Sequence, residues 1–99
     1  MADKLDVIWS SESVRKTDQI IKFLTENWSI KEVENFLTSL AAFEEIISRF
    51  PEIYPKSLLK KGYRKAVILK QVSIIYSVEM NSIKVHTLFD NRQDPAKLK

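Results

Sequence analysis

The sequence predicts an α+β domain in which a helical hairpin packs on one face of a four-stranded antiparallel sheet, in the order β-α-α-β-β-β. Three observations predict it. The stretch 62–95 carries apolar residues at alternate positions in short runs, the period of a sheet with one buried and one more polar face. Residues 12–50 repeat their apolar residues every three or four positions, the period of helices with one buried stripe. Ninety-nine residues bury roughly two-thirds of their unfolded surface on folding, enough for one core, so residues 1–99 are read as a single domain.

The elements follow in order. Leu5 to Trp9 joins β-branched and aromatic residues in a short apolar run and reads as the first strand. Ser10 or Ser11 can cap a helix over 12–27, with Glu12 placed in its first turn beside unpaired backbone N–H groups. The expected buried stripe is Val14, Thr17, Ile21, Leu24 and Trp28, with Ile20 beside it. Ser29 and Glu32 have the spacing of a capping box, and Trp28 and Val33 that of its hydrophobic staple. A second helix therefore begins almost without a linker. Its stripe is Val33, Phe36, Leu40, Phe43, Ile47 and Phe50, and Pro51 ends it. Helices joined this closely fold back on each other and share an apolar seam.

Pro51 to Pro55 reads as a rigid, non-helical connector, with Tyr54 packing the end of the hairpin against the sheet and Leu58 and Leu59 anchoring the following loop. Gly62, the only glycine, marks a turn that needs positive φ. Three strands follow, joined at Lys70-Gln71 and Met80-Asn81-Ser82. Val72, Ile74, Tyr76 and Val78 are expected on one face, with Ser73, Ile75, Ser77 and Glu79 on the other. Likewise Ile83, Val85, Thr87 and Phe89 oppose Lys84, His86, Leu88 and Asp90.

Composition narrows the function. The chain has no cysteine and one histidine, His86, which excludes Cys/His nucleophilic chemistry and zinc sites of the usual ligand number. One glycine cannot build a phosphate-binding loop. The neighbouring acids Glu44 and Glu45 point about 100° apart on a helix and do not converge. No cofactor and no metal are expected. The start of the chain lacks the pattern of a signal peptide and no apolar run reaches the roughly 18 residues of a membrane span, so a cytoplasmic protein without a membrane partner is expected. His86 shares a strand face with Lys84 and could carry a proton or meet a phosphate, although a lone histidine is more often a structural residue.

Charge is divided along the chain. Residues 1–55 carry six Lys and Arg against ten Asp and Glu, whereas residues 56–99 carry ten against three. Lys56, Lys60, Lys61, Arg64, Lys65 and Lys70 lie within fifteen residues that contain no acid. Such a run suits phosphates or an acidic protein surface, or serves as a solvated face.

The order and spacing of several short motifs resemble the RelE/ParE family of bacterial toxins. They are VIWS before a helix, NWS with the following Phe36, P-x-x-Y-P at 51–55, and G-x-R, I-I-Y-x-V and I-x-V-x-x-L-F-D-x-R-Q-D-P across 62–95. The ParE-like branch, often called plasmid stabilisation proteins, is the most similar. The resemblance implies the same β-α-α-β-β-β fold and a toxin of a type II toxin–antitoxin module, held inactive by a cognate antitoxin, in a dimer or heterotetramer. ParE-like members are associated with poisoning DNA gyrase by binding. RelE-like members cut messenger RNA on the ribosome with Lys and Arg on the sheet.

Carried onto this sequence, the resemblance places target binding at Lys61, Arg64, Lys65, Lys70, Arg92 and Gln93. A nuclease would draw on Arg64, Lys65, His86 and Arg92. Two departures weigh against the nuclease: Ser73 stands where nucleases commonly carry an arginine, and no tyrosine follows Tyr76. Arg64 and Arg92 could instead pair with Asp90 or Asp94 to fix the end of the last strand and the tail.

Overall fold

The structure is a computed structural model that describes residues 4–58 and 60–93. Strand β1 (Asp6–Trp9) leads into helices α1 (Ser11–Asn27) and α2 (Ile30–Arg49), followed by strands β2 (Arg64–Leu69), β3 (Val72–Val78) and β4 (Ser82–Asp90) and a 3-10 turn at Asn91–Gln93. The element order is the expected one.

The sheet has the strand order β1-β4-β3-β2, and one edge departs from expectation. β2, β3 and β4 pair antiparallel, but β1 pairs parallel with β4, so the sheet is mixed. Tight turns at 70–71 and 79–81 force antiparallel pairing between successive strands. β1 is freed from that constraint because two helices and a long connector separate it from the other strands, and a parallel pair needs such a crossover.

Each helix start is fixed by a serine. Ser10 Oγ accepts from the backbone N–H of Ser13 at 3.0 Å and Ser29 Oγ from that of Glu32 at 3.3 Å. The buried stripe of α1 is rotated from the expected one: Ser13, Ile20 and Leu24 are buried, whereas Val14 is 50% exposed and Trp28 53%. Ser13 can occupy the core because its hydroxyl donates to Ser10 O at 2.7 Å, and Thr17 Oγ1 donates to Ser13 O at 2.8 Å. On α2, Phe36, Phe43 and Ile47 are buried with Val33 and Leu40 packed beside them, but Phe50 is 61% exposed. Phe50 is the residue after the helix, with φ −131° and ψ 71°, and its side chain leaves the stripe when the backbone leaves the helix.

The connector is held by its aromatic and backbone groups. Tyr54 packs against Phe43 and Tyr76, as expected. Tyr76 Oη donates to Pro51 O at 2.7 Å, and Arg64 Nη1 donates to Tyr54 O at 2.7 Å. Leu58 does not anchor the loop and is fully exposed; Leu59 lies outside the described residues. Gly62 has φ +88°, in the region that disfavours a side chain.

A bulge changes the face assignment in β4. Ile75 pairs with Thr87 but Tyr76 pairs with Val85, so His86 is the extra residue. Beyond it the alternation inverts. Leu88 and Asp90 therefore face the helices with Ile83 and Val85, while Thr87 and Phe89 move to the open face, opposite Ile75 and Ser73.

The candidate recognition surface and the open face of the sheet

The predicted cations do not form one patch. β2 places Arg64 opposite Tyr76, on the helix-covered face, and Lys65 opposite Ile75, on the open face. Lys61 lies in the turn with Gly62, while Lys70 lies in the turn at the other end of β2, roughly 20 Å along the strand. Asn91 N donates to Gln71 O at 2.8 Å, which gathers Lys70, Arg92 and Gln93 at that far end. The basic run is thus divided between two ends of the sheet.

The two arginines have internal roles. Arg64 secures the connector through Tyr54 O. Arg92 is only 9% exposed. Its Nε and Nη2 donate to Asp90 at 3.0 and 2.7 Å, and its Nη1 donates to Glu32 at 2.8 Å. Its backbone N–H also donates to Asp90 Oδ1, at 2.7 Å. The guanidinium lies 5.1 Å from the centre of the Trp28 ring, an arrangement that favours the cation. Hydrogen bonding to Asp90 raises the Arg92 pKa above its ordinary value, against the effect of burial. The pairing of Arg92 with Asp90 makes this group a clamp between the end of β4 and the start of α2, and Glu32 serves that clamp as well as the helix start.

Of the other predicted residues, Lys65 is half-buried with Nζ 5.9 Å from the Phe89 ring centre, and Gln93 is half-buried in the 3-10 turn. Lys61 and Lys70 are exposed. Lys61 borders an open cleft of about 350 Å³ with Glu52, Lys56, Gly62, Tyr63, Arg64 and Val78. Three cations against one acid make its rim electropositive.

His86 belongs to a polar cluster whose other members sequence reasoning passed over. Its ring stacks on Tyr63, with centres 4.3 Å apart and planes 9° apart, and Lys60 Nζ lies 4.8 Å from the Tyr63 ring centre. Ser77 Oγ lies 2.7 Å from His86 Nε2 and donates to Glu79 Oε2 at 2.7 Å. Burial lowers the His86 pKa below its ordinary value, reinforced by Lys84 and Lys60 and opposed by Glu79. The signal available in the sequence was the shared face of Ser77 and Glu79, but their link to His86 depends on the hairpin register and the bulge.

Among the described residues, no group of three or more His, Cys, Asp or Glu could hold a metal ion. No helix among them is long and apolar enough to cross a membrane.

No protein-family model matches the chain, and no curated protein matches its sequence significantly. Solved structures do match its shape. The chain is similar to a chain of the chromosomal ParDE TA system from P. aeruginosa, with a TM-score of 0.74 and 9% identity over 90% of this chain and 98% of that one. It is similar to a chain of the E. coli DinJ–YafQ toxin–antitoxin complex, with a TM-score of 0.61 and 12% identity over 93% and 98%. A histidine-to-glutamine mutant of YafQ from E. coli matches with a TM-score of 0.55 and 14% identity over 90% and 96%. The chain therefore has the fold seen in the ParDE and DinJ–YafQ structures. These likenesses concern the fold, which ParE-type and YafQ-type proteins share.

Proposed function

We propose that this chain is the toxin of a type II toxin–antitoxin module, acting in the cytoplasm in the ParE-like manner: it binds a target such as DNA gyrase and is neutralised by a cognate antitoxin. The observation that carries this reading is the use made of the two arginines. A phosphate-cleaving site needs cations aimed at one point, where charge develops in the transition state. Arg64 and Arg92 are instead committed to Tyr54 O and to the Asp90–Glu32 pair. Of the cations expected to bind a target, the exposed Lys61 and Lys70 stand at separate ends of the sheet, an arrangement better suited to an extended protein interface than to a catalytic centre.

The antitoxin assignment rests on the company the fold keeps, since the ParDE and DinJ–YafQ structures are toxin–antitoxin assemblies. Induced expression of the chain is expected to arrest growth, and co-expression with the product of the adjacent gene to relieve the arrest. With purified gyrase the chain is expected to inhibit supercoiling and to stabilise cleavage complexes. Unimpaired gyrase in both assays would overturn the ParE-like reading.

A second reading, a ribosome-dependent endoribonuclease, is favoured by one observation: Ser77, Glu79 and His86 form a hydrogen-bonded group on the open face. Toeprinting on translating ribosomes tests it, and an absence of new 5′ ends would end it.

A further inference from the structure

We propose that Ser77 and Glu79 are positioning residues that hold His86 with its proton on Nε2, leaving Nδ1 as a proton-accepting atom at the surface of the sheet. The argument is one of proton accounting. Ser77 Oγ lies 2.7 Å from Glu79 Oε2 and 2.7 Å from His86 Nε2. A serine hydroxyl has one proton, and an ionised carboxylate can only accept. The Ser77 proton therefore goes to Glu79, and the proton in the second bond comes from Nε2. In a neutral imidazole the lone pair then falls on Nδ1.

The rest of the site keeps the ring in this orientation. Tyr63 stacks on it at 4.3 Å, and Ser10 Oγ donates to the His86 carbonyl at 2.8 Å, which fixes the backbone at the bulge. His86 Nδ1 takes part in none of the hydrogen bonds of the described residues, yet none of their buried side-chain nitrogens or oxygens lacks a partner. Nδ1 therefore reaches solvent. The charged and titratable groups around the ring are Lys60 and Tyr63 from the preceding loop, Glu79 at the end of β3 and Lys84 on β4. Two lysines beside an exposed acceptor suit a ligand that carries a negative charge next to a hydroxyl donor.

The identity of that ligand rests on the ribonuclease reading, under which it is a ribose hydroxyl beside a phosphate. The proton placement does not. His86 is the only histidine, so long-range proton–nitrogen correlation spectra of uniformly labelled protein contain one imidazole. Above the titration of the ring, the spectrum is expected to show a protonated Nε2, an unprotonated Nδ1 and a ring N–H proton slowed in exchange with water. Ser77→Ala should lose the slowed proton and move the nitrogen shifts toward the mixture of an unconstrained imidazole, and Ser77→Thr should restore both. Glu79→Gln should lower the pH at which the ring titrates. A proton found on Nδ1, or a Ser77→Ala spectrum identical to that of the parent protein, would overturn the proposal. Toeprinting with the parent protein tests the ligand separately: a protein that cuts no RNA but keeps the Nε2 proton removes the ribonuclease reading alone.

Discussion

The two faces of β3 are both shielded from water, yet they are built on different principles. Val72, Ile74 and Tyr76 are fully buried beneath the two helices. Ser73, Ile75 and Ser77, on the other face, are 6%, 8% and 5% exposed with neither α1 nor α2 above them. Their cover is supplied by larger side chains on the flanking strands and loop, among them Lys65, Phe89, His86 and Tyr63. The first face is held by apolar area, the second by hydrogen bonds and stacking between polar groups. Burial of the first kind stabilises the fold, whereas burial of the second kind fixes the chemical state of particular side chains.

The largest expected effect tests the first face. Phe43 is 1% exposed and packs against Trp9, Tyr54 and Tyr76. Phe43→Ala should cost about 3–5 kcal/mol, as for other large-to-small changes in a core. Phe89→Ala, on the half-buried open face, should cost clearly less. Urea unfolding of both variants provides the check, and equal losses would erase the distinction between the faces.

The Arg92 clamp should rank close behind. Its Asp90 partner has a side chain with no exposure to solvent, and removing one member of a buried pair leaves an uncompensated charge at a cost of roughly 3–5 kcal/mol. Arg92→Ala is therefore expected to lower the urea midpoint strongly. The double change Asp90→Asn with Arg92→Leu, which removes the buried charge at Asp90 and leaves only the partly exposed Glu32 without its partner, should recover part of the loss. If Arg92→Ala proved neutral, Arg92 would return to the set of residues free to meet a target.

Much of this architecture was legible in the sequence, because element type follows from periodicity and helix starts follow from local chemistry. The Ser29–Glu32 spacing placed the start of α2, Gly62 marked a turn at positive φ, and Tyr54 was recognisable as packing. What escaped depends on pairing. The parallel edge at β1 leaves no local signature, since its partner β4 lies more than seventy residues away. The bulge at His86 inverted the faces of Leu88 and Phe89 without any glycine to announce it. The rotated stripe of α1 was concealed because Ser13 satisfies its hydroxyl within the helix and so can stand where an apolar residue was expected. The candidate site was less legible than the fold. Charge counts showed where cations are concentrated but not that Arg92 is buried and Arg64 bonds to the connector, or that Ser77 and Glu79 reach His86.

Two titrations sharpen the comparison between the faces. On the helix-covered face, burial pushes the Tyr76 phenol up to about 12. The neutral phenol is thus favoured by folding; its contribution is complete below the ordinary tyrosine value near 10 and is lost as pH rises toward 12. Tyr76→Phe should cost about 1 kcal/mol at neutral pH through the lost bond to Pro51 O, and should remove this part of the alkaline slope in stability. On the open face, the lowered pKa of His86 gives the opposite sign. Folding favours the neutral ring, so the contribution is present above the ordinary histidine value near 6.5 and is lost as pH falls through the lower folded value. His86→Gln should flatten the stability profile on that acidic side, measured by thermal unfolding from pH 7.5 to 5, and an unchanged profile would show that the stacked ring is no more buried than in the unfolded chain.

The smallest effect on stability belongs to Lys61, and for that reason it separates fold from function most cleanly. Lys61 is exposed in the turn beside Gly62 and borders the electropositive cleft with Lys56 and Arg64. Surface changes away from caps and buried partners lie within about 0.5 kcal/mol, so Lys61→Glu should leave the urea midpoint nearly unchanged. The same change reverses one charge on the proposed interface, where like charges facing one another slow association and weaken the complex. Growth arrest and gyrase inhibition are expected to fall several-fold in Lys61→Glu with the fold intact, and more weakly in Lys61→Gln. Full activity in both variants would move the interface away from this cleft, toward the far end of the sheet where Lys70 and Gln93 stand.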